Sequence, residues 1–256
     1  MRHRLKFTFI LGFLGWVFLV PARFLSVQCS EPEHAKSPWH GTNFQLGFNK
    51  NTGNTDTADF TSQVNLNYNQ DRWVDKGQAQ FQWGKSNGLL EKQSYFLTNQ
   101  TDYAFDTPRK NFVFLSETFT VDHFSPYNYQ TLLAAGLGHD IIRNDWVLWS
   151  VQAGPGYSWY QATGTNNNYS NAVATTGTNF GWYINEATEF SEGIIANLSE
   201  PYNYYKSTTA LTSTLSNNFA IQISYTIQYY SQIPPLSTRT NNLDTTTLVS
   251  LIYNFV

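Results

Sequence analysis

Only 13% of the 256 residues are charged and 17% are aromatic, whereas about a quarter of the residues in an ordinary soluble domain are charged. The net charge of −3 offers no basic surface and argues against nucleic acid as a partner. Asn, Gln, Thr and Ser replace the missing charges, a composition that suits a wall with lipid on one side and water on the other. The length fits one large all-β domain.

The first segment predicts an export signal. Basic residues at the start precede an apolar run over residues 7–20, which is shorter than the roughly 20 residues of a membrane-spanning helix. We expect a signal peptide at residues 1–29, cleaved after Ala22 or after Cys29.

The mature chain then begins with a short polar segment. Residues 30–41 are expected to form a periplasmic leader, and residues 42–256 the folded domain. Lipid attachment at Cys29 is a weaker alternative, because Gln28 stands where attachment requires a small residue.

Period-2 alternation predicts β-strands from residue 42 onward. In residues 42–50, Phe44, Leu46 and Phe48 share one face and amide side chains share the other. The same pattern predicts about twelve strands, an even number as bacterial barrels have; it is less clean from residue 112 onward and leaves the strand register over residues 112–160 open. They are residues 42–50, 58–69, 73–83, 92–105, 112–122, 128–139, 146–160, 178–190, 194–198, 204–215, 219–230 and 244–256.

The predicted connections alternate between tight turns and longer loops. The longer ones are residues 51–56, 84–91, 161–177 and 231–243. Residues 199–203 are an exception, because the alternation predicts a long loop there and the connection is short. This asymmetry is typical of periplasmic turns and extracellular loops, with both termini periplasmic.

The closing strand alternates almost without interruption. Leu251, Tyr253 and Phe255 share one face and form the expected signal for the barrel-insertion machinery. The predicted fold is an all-β transmembrane up-and-down antiparallel β-barrel of about 12 strands, preceded by a cleaved signal peptide. A soluble exported β-sandwich is the alternative.

Short motifs along the mature chain resemble a known family. They lie at residues 53–57, 71–73, 100–103, 135–138, 153–157, 243–246 and 251–255. In their order and spacing the chain is similar to the salt-induced outer membrane proteins, a YdiY-like family whose domain has no known function. The resemblance implies an outer-membrane β-barrel without an established activity. Val256 is a departure, because these barrels usually end on the aromatic residue itself.

The sequence shows no catalytic or metal-binding signature. It has no G-x-S-x-G motif, and His123 and His139 are predicted at opposite ends of the barrel. We therefore expect no enzyme activity, no catalytic residues and no cofactor. Calcium, or a cation that bridges lipopolysaccharide, at the oxygen-rich residues 51–59 is a minor alternative to simple turn chemistry.

Charged residues within predicted strands should face the lumen, because a charge facing lipid at mid-membrane costs about 2–4 kcal/mol. They either solvate and cross-link the interior or tune selectivity. Glu117 conflicts with this rule, since it is in phase with apolar neighbours; either those neighbours face inward or a β-bulge shifts the register. The candidate lumen-lining residues are Lys76, Gln78, Gln80, Gln82, Lys92, Asp102, Glu186 and Lys206.

The favoured function is an integral outer-membrane barrel that acts as a small passive pore or as a structural or stress-response component. The alternative is a non-conducting surface barrel whose loops, above all residues 161–177 and 231–243, bind a ligand or a host surface. A lipid-modifying enzyme is less favoured. Expected partners are outer-membrane lipid, lipopolysaccharide and the insertion machinery, and the expected state is a monomer.

Overall fold

A computed structural model describes residues 37–51, 57–106, 110–124, 127–162, 167–200, 202–232 and 242–255. The predicted signal peptide with both cleavage sites, most of the leader, and Val256 lie outside these residues. No helix in the described ranges is long and apolar enough to span a membrane.

The described residues form one closed antiparallel barrel, as predicted. Each strand pairs with its neighbours in the chain, and β1 pairs with β12 to close the ring. The twelve strands are β1 (Asn43–Asn51), β2 (Thr57–Gln70), β3 (Trp73–Ser86), β4 (Leu89–Ala104), β5 (Asn111–Asp122), β6 (Tyr127–Arg143), β7 (Val147–Ala162), β8 (Asn168–Asn185), β9 (Thr188–Ser199), β10 (Tyr204–Thr214), β11 (Phe219–Tyr230) and β12 (Leu243–Asn254).

Alternation gives each strand an outer face toward the surroundings and an inner face toward the lumen. On β1, Leu46 and Phe48 are exposed on the outer face. The inner face is identified by side chains that meet across the barrel, such as Gln100 of β4 and Gln152 of β7. We call the end that carries both chain termini the terminal end and the opposite one the distal end.

The polar face of β12 carries two apolar residues, Leu248 and Ile252, and the closing pair explains the first. The register runs from Asn43 opposite Asn254 to Phe48 opposite Val249. The side chain of Leu248 covers Gly47, where a Cβ would lie 2.6 Å from a Leu248 methyl carbon. The inward leucine therefore fits because the facing residue has no side chain.

The prediction for residues 161–190 is wrong. Residues 161–177 are not one long loop, because β8 begins at Asn168, and residues 178–190 are two strands joined at Glu186–Ala187. The first half of β8 carries small and polar side chains on its outer face, so it lacks the apolar alternation that predicts a strand.

The prediction of a long loop at residues 84–91 is also wrong. β3 and β4 continue into a two-residue turn at Asn87 and Gly88, both with positive φ (49° and 81°). An Asn-Gly pair with φ > 0 at both positions is the preferred tight hairpin turn. The distal connections are therefore not uniformly long.

The irregular alternation over residues 112–160 has a physical cause. Phe112 and Phe114 of β5 face the lumen opposite Gly138 and Gly136 of β6. A Cβ on Gly138 would lie 2.1 Å from the Phe112 ring, so the glycine provides the space that the ring occupies. Aromatic residues fill this side of the interior. The alternation of residues along β5 therefore does not separate an apolar outer face from a polar inner face.

The close approach of β6 and β7 gives a stability prediction. A Cβ on Gly154 would lie 2.1 Å from the Ala135 carbonyl oxygen and 2.6 Å from the Gly136 Cα, so the strands themselves would have to move. We expect Gly154→Ala to lower the free energy of unfolding by about 1–3 kcal/mol. The matched control is Gly181→Ala, whose Cβ would meet only the Glu189 side chain at 3.5 Å. Guanidinium unfolding in detergent measures both; equal stability of the two variants would contradict the prediction.

Candidate functional site: the barrel lumen

The structure places most of the predicted lumen-lining residues on the inner face. Gln80 donates to Gln63 of β2 (2.9 Å), and this contact identifies the inward parity of β3. Glu186 is an exception: it lies in the turn between β8 and β9, exposed at the terminal end, so its prediction as a strand residue is wrong. The predicted lumen-lining residues that do lie on the inner face are Lys76, Gln78, Gln80 and Gln82 on β3, Lys92 and Asp102 on β4, and Lys206 on β10.

Four of the inward side chains form a polar bridge across the lumen. Lys76 Nζ donates to Asp102 Oδ2 (3.0 Å), and Gln100 Nε2 donates to Asp102 Oδ1 (2.7 Å). Gln100 and Gln152 then exchange hydrogen bonds of 3.0 and 3.2 Å between β4 and β7. We call Lys76, Asp102, Gln100 and Gln152 the lumen bridge.

The environment of Asp102 shows why it tolerates burial. Its side chain is 8% exposed, whereas that of Lys76 is 55% exposed. Both carboxylate oxygens accept a hydrogen bond, as a buried charge requires. The lysine thus keeps contact with the lumen while it compensates the buried carboxylate.

A second contact narrows the lumen farther toward the distal end. Lys206 Nζ of β10 lies 5.4 Å from the centroid of the Phe96 ring on β4. Such a distance is within the range of cation–π attraction. Because β4 and β10 are not neighbours, this contact also spans the interior.

The two halves of the inner wall differ in chemistry. From β1 to β3 the amides form a continuous chain: Asn65 donates to Asn43 (2.8 Å), Gln63 donates to Asn65 (2.9 Å) and Gln80 donates to Gln63 (2.9 Å). On the β4–β6 side, Phe112, Phe114 and Ala134 pack into a buried cluster. The wall at β1–β3 is therefore amide-lined, whereas the wall at β5 and β6 is packed with two aromatic rings.

Tyrosines line the distal mouth. Tyr202, in the connection between β9 and β10, is buried between Tyr127 (ring centroids 5.7 Å apart) and Tyr230 (5.8 Å). Burial raises the pKa of the Tyr202 hydroxyl, so this hydroxyl stays protonated at neutral pH. Gln130 Nε2 lies 3.4 Å from the Tyr202 hydroxyl and links the connection to the wall below. The tyrosines of this mouth cluster are Tyr127, Tyr160, Tyr169, Tyr202, Tyr204 and Tyr230.

Glu117 does not follow either of the two sequence-based interpretations. It lies on the outer face of β5, opposite Asn99 of β4 and the exposed Leu133 of β6, with no register shift in either pairing. Its apolar neighbours face outward and no bulge is present. Glu192 of β9 also faces outward, but its carboxylate accepts hydrogen bonds from Ser207 (2.6 Å) and Thr209.

The described residues show neither a histidine-based catalytic group nor a cluster of metal ligands. His123 lies at the distal end after β5, whereas His139 lies on β6 toward the terminal end, with its Nδ1 2.8 Å from Asn111 Oδ1. Among the described residues no three His, Cys, Asp or Glu side chains are grouped as metal ligands. Most of the oxygen-rich loop at residues 51–59 lies outside the described ranges.

The residues predicted as an insertion signal lie together at the terminal end. Leu251, Tyr253 and Phe255 are exposed on the outer face. The Tyr253 ring packs 5.2 Å from Phe219 and 5.4 Å from Phe255. Recognition by insertion machinery stays a prediction.

The architecture defines the class of protein: a transmembrane up-and-down β-barrel, apolar outside and largely polar inside. Residues 44–255 match the family described as protein of unknown function, DUF481, and the chain belongs to this family. The predicted relationship to the YdiY-like salt-induced outer membrane proteins is thereby confirmed. No curated protein matches the chain by sequence.

Solved structures of outer-membrane barrels share the fold. The NanC porin is 11% identical with a TM-score of 0.53, and the match covers 84% of this chain and 100% of the porin. The COG4313 outer membrane channel from Pseudomonas putida F1 is 9% identical with a TM-score of 0.52, covering 89% and 100%. At these identities the similarity concerns the fold alone, and it supports an outer-membrane location.

Sequence reasoning missed the partners that complete the site. Gln100 carries the inward parity of β4, but nothing in the sequence predicts its contact with Gln152, because the two strands are not neighbours. The mouth cluster was missed because five of its six tyrosines lie near strand ends, where rings also form the interfacial girdles.

The Lys76–Asp102 pair gives a second stability prediction. A double-mutant cycle with Lys76→Met and Asp102→Asn should yield a coupling energy of about 1 kcal/mol, because the exposed lysine limits the gain from the pair. Lys92→Met is the matched control, since no ion pair to Lys92 is present among the described residues. Chemical unfolding of the four variants measures the coupling. A coupling indistinguishable from zero would show that Asp102 does not depend on Lys76.

Proposed function

We propose that this protein is a narrow outer-membrane pore for small polar solutes, exported by its predicted signal peptide and surrounded by lipid and lipopolysaccharide. The amide-lined wall of β1–β3 carries the proposal. Amides both donate and accept hydrogen bonds, so they can replace part of the hydration shell of an uncharged polar solute.

The conducting path runs along this amide-lined wall. The lumen bridge and the Lys206–Phe96 contact occupy the interior beside β4 and leave the β1–β3 side as the polar surface available to water. The side chain of Lys76 is more than half exposed at this point, which places a cation beside the path.

Selectivity in this pore is modest because its acidic residues Asp102 and Asp140 are paired with cations, while Lys92 and Lys206 have no ion-pair partner among the described residues. Asp102 accepts from Lys76, and Asp140 accepts from Arg143 Nε at 2.6 Å. A path walled by amides and compensated pairs does not present a single-sign ring of charge, the usual basis of strong ion selectivity. Solute size therefore limits passage more than charge does.

The lumen bridge gives the first conductance prediction. Gln152→Ala removes the reciprocal contact with Gln100, so we expect larger single-channel conductance in planar lipid bilayers, by about 1.5-fold or more if the bridge lies at the narrowest section. Gln222→Ala is the control, because Gln222 also faces the lumen but, among the described residues, its side chain bonds only to Thr212 on the adjacent strand (2.9 Å). Wild-type barrels that are folded but silent would refute the pore itself. Equal conductance of both variants would refute the bridge as its constriction.

The mouth cluster favours a second candidate, a closed barrel that binds a ligand at its distal surface. Tyr202 is inserted from a connection and buried among the other rings, which narrows the entrance. Of the two loops predicted to bind, residues 161–177 are largely strand β8, and residues 233–241 lie outside the described ranges.

Removal of Tyr202 distinguishes the two candidates. If the mouth cluster restricts an otherwise open pore, Tyr202→Ala should increase the conductance or the fraction of time open. Tyr205→Ala, on the exposed outer face of β10, is the matched control. If both the wild type and Tyr202→Ala are silent while remaining folded, as shown by heat-modifiable gel mobility, the closed barrel is the better description.

A further inference from the structure

The outer wall contains a polar site at mid-membrane that the pore does not explain. Asn99 and Glu117 face outward and lie opposite each other on β4 and β5. Neither side chain has a hydrogen-bond or ion-pair partner within the described part of the chain; only the backbone carbonyl of Glu117 accepts a bond, from Thr98. An ionisable residue that faces the membrane interior marks a functional contact.

The depth of this site follows from the aromatic girdles. Tyr95 and Tyr103 lie on the same face of β4, each four residues from Asn99. The Tyr95 ring packs on Phe81 (5.1 Å) and the Tyr103 ring on Trp73 (4.7 Å), as in girdles at the two interfaces. At a rise of about 3.3 Å per residue and a tilt of about 40°, Asn99 lies about 10 Å from each girdle. The polar pair is therefore at the middle of the apolar band.

The opposite wall shows what an uninterrupted lipid-facing surface looks like in this barrel. At comparable positions its outer face is apolar and exposed. These residues are Leu46 and Phe48 on β1, Ile221 and Ile223 on β11, and Val249 and Leu251 on β12. Asp75 and Thr101 also face outward on the same wall, but Thr101 Oγ1 donates to Asp75 Oδ1 (2.5 Å), so Asn99 and Glu117 differ from them in having no partner among the described residues.

We propose that a second copy of this chain packs on the β3–β6 wall, so that Asn99 of one copy meets Glu117 of its partner. Copies inserted with the same orientation are related by a two-fold axis along the membrane normal. Around such an axis, the left of one face meets the right of the other. Asn99 and Glu117 are cross-strand neighbours, so an axis between them pairs amide donors with carboxylate acceptors twice.

The proposal replaces the expectation of a monomer and does not depend on conduction. Sedimentation of the purified, heat-modifiable barrel should give a dimer for the wild type and a monomer for Glu117→Leu. Glu192→Leu is the matched control and should remain dimeric, because Glu192 is satisfied within its own chain by Ser207 and Thr209.

Cross-linking in intact membranes provides the decisive measurement. In a Cys29→Ser background, a tagged copy with Asn99→Cys and a differently tagged copy with Glu117→Cys should form a mixed disulfide, because the second Asn99–Glu117 contact of the dimer is retained. Adding Glu117→Leu to the Asn99→Cys copy removes that second contact and should reduce the disulfide at least tenfold. Pairing Asn99→Cys with Val249→Cys on the opposite wall should give none. Absence of the mixed disulfide, or its persistence with Glu117→Leu, overturns the proposal.

Discussion

The requirement that every backbone N–H and C=O be paired inside a membrane determines the rest of this structure. No water is available in the hydrocarbon layer, so a sheet that crosses it must have no free edge. Here the β1–β12 pairing meets that requirement, from Asn43 opposite Asn254 to Phe48 opposite Val249. Once the ring is closed, each side chain of a strand faces either the lumen or the outside. A shift of one residue along the strand exchanges the two.

The interior shows what a closed ring can do with its inward side chains. β4 is central, because its inward residues contact three other strands: Asp102 binds Lys76 of β3, Gln100 binds Gln152 of β7, and Phe96 lies under Lys206 of β10. The contacts with Gln152 and Lys206 join non-neighbouring walls without any plug domain in the described residues. A small barrel can therefore be narrowed by individual side chains, and single substitutions can change its bore.

Sequence alternation predicted the fold well where the two faces have different chemistry. In β1 and β12 the apolar outer face and the polar inner face differ clearly, and the predicted closure is confirmed. The pattern failed in two kinds of place. In β8 the outer face is built from small residues such as Ala172 and Ala174, so a strand resembled a loop. In β5 the inward Phe112 and Phe114 depend on glycines of the next strand, which alternation within one strand cannot show.

The candidate site was predictable only in part, for a related reason. Parity along a strand assigns Gln78 or Lys92 to the lumen, but contacts across the lumen depend on the cross-section of the closed barrel. Gln100–Gln152 is such a contact, 52 positions apart in sequence. The error at Glu186 is different in kind, because it followed from a hairpin turn that was placed several residues too late in the chain.

Glu117 and Glu192, two of the outward carboxylates, show that parity alone does not determine what a charge costs. Facing lipid at the midplane costs about 2–4 kcal/mol for Lys or Arg and less for a carboxylate. A hydrogen bond to a charged group contributes about 1.5–3 kcal/mol. Glu192 accepts two such bonds from Ser207 and Thr209, which is enough to offset its position. Glu117 lies opposite Asn99 but accepts no side-chain hydrogen bond from it or from any other described residue. An internally satisfied carboxylate can face lipid, whereas an unsatisfied one at the same wall favours a surface that supplies the missing donors.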